Sequence, residues 1–506
     1  MGASTSGRYS VRAAARRALS GTLLIALNAC REGNSPMHDA LSAASTNDGG
    51  GHAGPAAPQR DADPDADAVA LDAGAKPTDA GDAGSDARVD PMRGIWLASS
   101  WGLALEAADG VLVMHEITEI SCRPYLEVPY EGLTIPDLGM TGEIEAGNLV
   151  LRGGLTDEMI ATPIATLPST CANGGTPTTE DPVLAFEIFW RNFYELYSSF
   201  DIRNIDWASQ YDAFVGRVTS ETTTDELFAL LCDMTRQFDD PHVSLTLGEA
   251  ECASHAAPAW LEGAKADQVL AAVDTYIYED ASKTANDLIP YRVLPENIGY
   301  VFISGMGGYA DTPEADLQTA REAADEIVAA FANVDGVIID VRMNGGGDDG
   351  IGMAIANRFA DQRRHAFSVQ TRAGDGWTET RDYYVEPEGP AQFTGPVVLL
   401  TSTFTVSAAE VFALALGVLP RVTLIGETTA GALSTMTYRN LPDGIGFTLP
   451  FERTFADDGR CYEGVGITPD IELPFDADAF IDGDDKMLEY AVQHLLNGAQ
   501  TSPSAP

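Results

Sequence analysis

The feature that most narrows the fold is the run Gly336-Val337-Ile338-Ile339-Asp340-Val341. A strand with one wet face alternates apolar and polar residues, and this one does not. It belongs in a sheet covered on both faces, the usual setting of parallel strands joined by helices. The surrounding sequence repeats that grammar, with a strand over 299–303, helices over 314–333 and 350–363, and a hairpin over 366–385. A strand over 397–401, a helix over 407–416 and a strand over 422–425 follow. The expected class is α/β, with a core over 290–497.

Upstream, the grammar changes. Short alternating runs such as Gly110-Val111-Leu112-Val113-Met114 and Asn148-Leu149-Val150-Leu151, broken by Gly, Asp and Pro, predict a small all-β domain over 91–174. Beyond a Pro/Thr-rich joint, Phe186, Phe189, Trp190, Phe193, Tyr194 and Tyr197 recur at helical spacing, followed by Leu227, Leu230, Leu231 and Met234. These predict a helical cap over 183–250 whose aromatic stripe is core. Residues 31–90 consist largely of Ala, Asp, Gly and Pro, too little apolar material to fold, and read as a disordered linker.

Residues 1–30 read as an export signal, four arginines ahead of an apolar stretch too short to span a bilayer. Leu27-Asn28-Ala29-Cys30 resembles a bacterial lipobox, so Cys30 is the expected lipidation site. The expected location is the bacterial cell envelope, lipid-anchored on the periplasmic or outer-membrane face, with a secreted chain as the alternative. In an oxidising compartment Cys122 and Cys171, close in one segment, are the expected disulfide. Cys232, Cys252 and Cys461 cannot be paired from spacing.

The chain carries 30 Lys+Arg against 76 Asp+Glu, a net charge of −46 over 506 residues. Residues 91–506 hold 22 of the bases and 64 of the acids, so the part expected to fold is itself acidic. Such a surface repels phosphate backbones and anionic headgroups, which excludes nucleic acid as a partner and leaves the membrane to the N-terminal lipid alone. No Cys/His spacing suggests zinc, and neither a metal nor an organic cofactor is expected.

Three loops can carry chemistry. In Asn344-Gly345-Gly346-Gly347-Asp348-Asp349-Gly350 the two aspartates would oppose a pyrophosphate, so a dinucleotide site fails. The remaining readings are a set of N–H groups converging on an oxyanion, or a tight strand-to-helix turn. Ser407-Ala408-Ala409-Glu410, at a strand-to-helix bend, is either an S-x-x-E capping box or an exposed serine nucleophile beside free N–H groups. Spacing does not choose between them. A serine needs a base, and His242 in Asp239-Asp240-Pro241-His242 is the best of the histidines. His255 lies in an Ala/Ser loop, and His365 and His494 are expected at or in polar-faced helices.

Four motifs in order then resemble a family. They are 339–347, 407–410, Gly426-Glu427-Thr428-Thr429-Ala430-Gly431 and Gly464-Val465-Gly466-Ile467-Thr468-Pro469-Asp470. They are similar to those of the tail-specific, or C-terminal processing, serine peptidase superfamily. The resemblance implies a crotonase-like α/β core with a helical N-terminal cap, and a peptide or protein substrate. The Ser/Lys branch places a lysine where this chain has Ala432, so the implied branch is the one resembling the tricorn protease core and interphotoreceptor retinoid-binding protein.

Carried over by position, Ser407 is the nucleophile, His242 the general base, and Glu463 the residue supporting the catalytic network. Ala408 and one of Gly346 or Gly347 supply the oxyanion hole. Residues 245–297 are too few for the PDZ domain usual in the Ser/Lys branch. Pro241 stands where the tricorn core has a serine linking base to glutamate, which leaves Ser244, Glu463 or a water to orient His242. The alternatives on the same fold are an apolar-ligand-binding protein and an esterase.

Overall fold

The computed structural model describes residues 90–501 except 177, 178, 180 and 375. The export signal, Cys30 and the linker up to residue 89 lie outside the described residues.

The apolar strands assemble into a seven-stranded sheet in which Ile298–Phe302, Gly336–Asp340, Val397–Thr401, Val422–Gly426 and Ile471–Glu472 run parallel. Two antiparallel strands, Ile289–Val293 and Ser282–Thr284, extend its edge. Alternate side chains feed opposite cores, as strand geometry requires. Val337, Ile339 and Leu399 pack toward the helices Pro313–Ala330, Asp349–Ala356 and Ala408–Gly417. Ile338, Val398 and Leu400 pack toward Gly263–Val273 and Lys486–Thr501.

Below the glycine-rich loop, Arg342 is almost wholly buried. It forks onto Asp340 (Nε–Oδ1 3.0 Å, Nη2–Oδ2 2.6 Å) and Asp485 (Nη1–Oδ1 2.8 Å), fastening the start of the C-terminal helix under the sheet's loop end.

The aromatic stripe of the helix Pro182–Leu196 is core, together with the helices Trp207–Phe214 and Thr224–Thr235. This unit is not purely helical. Ser244–Leu247 and Ala250–Ala253 form a hairpin that joins Gly446–Pro450 and Met436–Asn440 in a four-stranded sheet. Leu441, Ile445, Phe447 and Leu449 complete its core, because the three helices leave an apolar face that nothing within 183–250 covers. A second expectation also shifts. The helix expected over 350–363 ends at Ala356 and a 3₁₀ turn Asn357–Phe359, and His365 lies in the strand Arg364–Ala373.

Residues Gly94–Ile164 make an eight-stranded antiparallel sheet. Its turn at 153–157 meets the core at the start of the helix Asp349–Ala356 and at Tyr383: a Cβ on Gly350 would lie 2.9 Å from Leu155 N, and Tyr383 Oη donates to Thr156 O at 2.7 Å. Cys122–Cys171 and Cys232–Cys252 are disulfides, and Cys461 is a free, half-buried thiol.

Candidate active site

Ser407 follows the buried strand Val397–Thr401 and immediately precedes the helix Ala408–Gly417. Its φ is +59° and ψ −126°. A non-glycine residue held at positive φ is strained, and the sharp bend turns the half-buried side chain away from the sheet. Three contacts hold the bend. Asn344 Nδ2 donates to Ile303 O (2.9 Å), its Oδ1 accepts from Gly346 N (2.9 Å), and its carbonyl accepts from Val406 N (3.0 Å).

The glycines are required by close approach. A Cβ on Gly346 (φ +104°) would lie 2.6 Å from Ser407 Cβ, and one on Gly347 (φ +135°) 2.1 Å from Met306 O. The same construction puts Gly346 against the helix start, 3.2 Å from Ala408 N. Gly346 N–H is therefore committed to Asn344, while the N–H groups of exposed Gly347 and of Ala408, in the first turn, have no partner among the described residues.

Glu410, fully buried, ties this helix to the loop after Val422–Gly426. Its Oε1 accepts from Thr429 Oγ1 (2.6 Å) and Gly431 N (2.8 Å), its Oε2 from Ala432 N (2.8 Å) and Ser407 N (3.2 Å). Burial pushes its carboxyl up to about 7 against those four hydrogen bonds. The S-x-x-E spacing thus forms a capping box, and its carboxylate, which takes the serine's own N–H, is also shared with the neighbouring loop.

His242 sits between a 3₁₀ turn ending at Phe238 and the strand Ser244–Leu247. It is buried, and burial lowers its pKa from the ordinary imidazole value, with Asp240 opposing and Arg203 adding to the shift. Its main-chain N–H donates to Asp240 Oδ1 at 2.9 Å, but its Nδ1 has no hydrogen-bond partner among the described residues. No hydrogen bond joins His242 to Ser407 among the described residues; in enzymes without substrate such contacts are often long.

The expected orienters are engaged elsewhere. Ser244 Oγ bonds Thr448 Oγ1 at 3.0 Å. Glu463 accepts from Arg203 Nη2 (3.0 Å), Leu433 N (2.9 Å) and Ser434 N (3.1 Å). Burial, with repulsion from Asp240 added, pushes Glu463 up to about 8 while Arg203 pulls the other way.

An unbroken set of contacts nevertheless joins the His242 loop to Ser407. Asp240 Oδ2 pairs with Arg203 Nε at 3.2 Å, Arg203 Nη2 donates to Gly431 O at 3.0 Å, and Gly431 N reaches Glu410, which holds Ser407 N. Sequence reasoning missed Arg203, Asn344 and the bridging role of Glu410. Glu410 was visible as a cap, and Asn344 as part of the glycine motif. Arg203 carried no motif. Among the described residues no group of three or more His, Cys, Asp or Glu side chains could hold a metal ion.

Residues 297–473 match the family model for peptidase family S41. Over 195 residues the chain is 29% identical to a carboxy-terminal processing protease, CtpA, of Bacillus subtilis, covering 37% of this chain and 39% of that protein. Over 216 residues it is 27% identical to the tricorn protease of Thermoplasma acidophilum, covering 41% of this chain and 19% of that one. The chain thus spans about two fifths and one fifth of the lengths of these relatives. Among solved structures, a peptidase candidate from Parabacteroides merdae superposes with a TM-score of 0.55 at 25% identity, covering 64% of this chain and all of that one. The glycine loop, Ser407 and Glu463 all lie within the segment that is similar to peptidase family S41.

Proposed function

We propose that the chain is a serine peptidase of the processing type, acting on peptide or protein substrates through an acyl-enzyme on Ser407. The observation that carries the reading is the strained elbow: a serine at φ +59°, pressed against Gly346, with the unpartnered N–H of Ala408 beside it and that of Gly347 in the adjoining loop. A capping serine has no need of that conformation. Developing negative charge on a carbonyl oxygen does need such fixed donors, because they cost no reorganisation during the reaction.

In this mechanism His242 takes the Ser407 proton and the alkoxide attacks the carbonyl carbon. The tetrahedral oxyanion is held by Ala408 N–H and Gly347 N–H. Collapse expels the amine, protonated by the His242 imidazolium, and water repeats the sequence on the ester. Burial keeps His242 neutral, and therefore able to act as base, below the ordinary imidazole pKa. Glu463 supports the network from behind Arg203. The core is read as crotonase-like, and the chain as exported and lipid-anchored through Cys30.

Labelling with a fluorophosphonate tests the nucleophile. Modification of wild type and none of Ser407→Ala is expected. Labelling that persists in the variant removes Ser407 from the mechanism, and no labelling of folded wild type favours an apolar-ligand-binding protein. Hydrolysis of p-nitrophenyl esters without cleavage of any peptide would indicate an esterase.

A further inference from the structure

Pro241 has no hydroxyl to offer the proposed base, and among the described residues no hydrogen bond joins Glu463 to the imidazole, its Oε1 accepting from Arg203 instead. What stands between them is Arg203. It lies on the segment after the helix Pro182–Leu196, and its side chain is only 7% exposed. Nε pairs with Asp240 Oδ2 at 3.2 Å, Nη2 donates to Glu463 Oε1 and Gly431 O at 3.0 Å each, and Nη1 donates to Asp239 O. One planar group thus touches the base loop, the 431 loop and the carboxylate at 463.

Asp240 is in turn fixed on both oxygens. Tyr197 Oη donates to Oδ2 at 2.8 Å, and His242 N–H to Oδ1 at 2.9 Å.

We infer that Arg203 is a positioning residue for the general base: its guanidinium bridges Asp240 to Glu463 and so holds the His242 loop in register with the Ser407 network. The inference rests on the reading of His242 as base.

Two physical arguments support it. Nη1 and Nη2 donate in one rigid plane to Asp239 O, Gly431 O and Glu463 Oε1, on three separate segments, while Nε makes only an ion pair with Asp240; a flexible ammonium cannot reproduce that set. The charges also suit the reaction. Asp240 favours the imidazolium formed as Ser407 loses its proton, while the cation of Arg203, paired with Asp240, opposes it and so helps keep the resting imidazole neutral. Without Arg203 two buried carboxylates would face each other across the base loop.

The test is the second-order rate of fluorophosphonate labelling of the full chain between pH 5 and 9, which needs no known substrate. The charges acting on His242 are Asp240 and Arg203, and the titratable groups linked to these two are Asp239 (paired with His255), Tyr197 and Glu463. Arg203→Gln removes the cation that disfavours imidazolium, so the acid limb should move to higher pH and the plateau rate should fall by about 10²-fold, the scale of a misplaced catalytic group. Arg203→Lys keeps the charge and loses the fork, so its limb should stay near wild type while the plateau remains low. A wild-type plateau in Arg203→Lys overturns the inference, and Lys carries the test alone if the Gln variant does not fold. His242→Ala separates the two levels of argument. Full labelling in His242→Ala defeats the base itself, whereas its loss alongside unaffected Arg203 variants defeats only the bridge.

Discussion

Around Ser407 the contacts are main-chain groups, one asparagine and one carboxylate, whereas around His242 they are two carboxylates and a guanidinium sealed from water. The nucleophile side is built from loops at the ends of adjacent parallel strands. The base side joins Arg203 to Glu463 across 260 positions of sequence. Main-chain geometry is set by where glycine is allowed and by strand order, so it tolerates changes in nearby side chains. A buried ion network has no such tolerance, since removing one member leaves an uncompensated charge. The comparison teaches that one candidate site can have a geometric half and an electrostatic half, and that they should fail differently.

The largest effect should come from the geometric half. Ser407→Ala should abolish peptidase activity and fluorophosphonate labelling while leaving the melting curve near wild type, because Glu410 still accepts from the N–H of residue 407. A cost of ~0.5–2 kcal/mol in denaturant unfolding with labelling unchanged would show that the serine is a cap.

Next, His242→Ala should slow labelling by several powers of ten, since a serine hydroxyl is a weak nucleophile without its base. In wild type, the acid limb of the labelling rate should have its midpoint below pH 6.5, because burial lowers the imidazole pKa and the neutral base therefore persists to lower pH. A midpoint above that value would mean that Asp240 outweighs burial and would redraw the electrostatic half.

Gly346→Ala probes the boundary between the halves. The new methyl would press on Ser407 Cβ at 2.6 Å and on Val406 O at 3.0 Å, at a φ that side chains avoid. Labelling should fall by about 10²–10³-fold, the range seen when an oxyanion donor is lost. Near-normal labelling would show that this loop does not shape the elbow.

Stability should report the smaller effects. Glu410→Gln places an amide NH₂ against donors and should cost about 1–3 kcal/mol in urea unfolding, with Ser407 labelling reduced in step. An unchanged midpoint would show that the shared carboxylate is dispensable. Finally, with a net charge of −46, the melting temperature should rise modestly as NaCl goes from millimolar to molar and screening shortens to ~3 Å. A flat response would show that the surface carboxylates are too dispersed to repel.

Much of the nucleophile half was legible in the sequence. The apolar run at 336–341, the glycines at 345–347 and Ser407 before an apolar helix each follow a local rule: a two-sided strand, a close approach, a helix start. The base half was legible only at His242, and through resemblance at Glu463. Arg203 has no periodic or spacing signature, and nothing in Ser198-Ser199-Phe200-Asp201-Ile202-Arg203 marks it apart from a surface arginine. The strand content of the cap was missed for a related reason. Ser244–Leu247 is short, and besides its hairpin partner Ala250–Ala253 it pairs with Gly446–Pro450, two hundred residues away, which no local pattern announces.

By itself, then, the sequence determined the α/β class, the order of the elements from 297 onward, the glycine positions and the identity of the nucleophile candidate, because these depend on neighbours within a turn or a strand. The tertiary structure decided which N–H groups remain free, that Gly346 is committed to Asn344, that Glu410 serves a second loop, and that a guanidinium stands between Asp240 and Glu463. Hydrogen bonds and ion pairs of that kind depend on distance and burial between segments far apart in the chain. Such distances exist only once the sheets have closed and water has been excluded from between them.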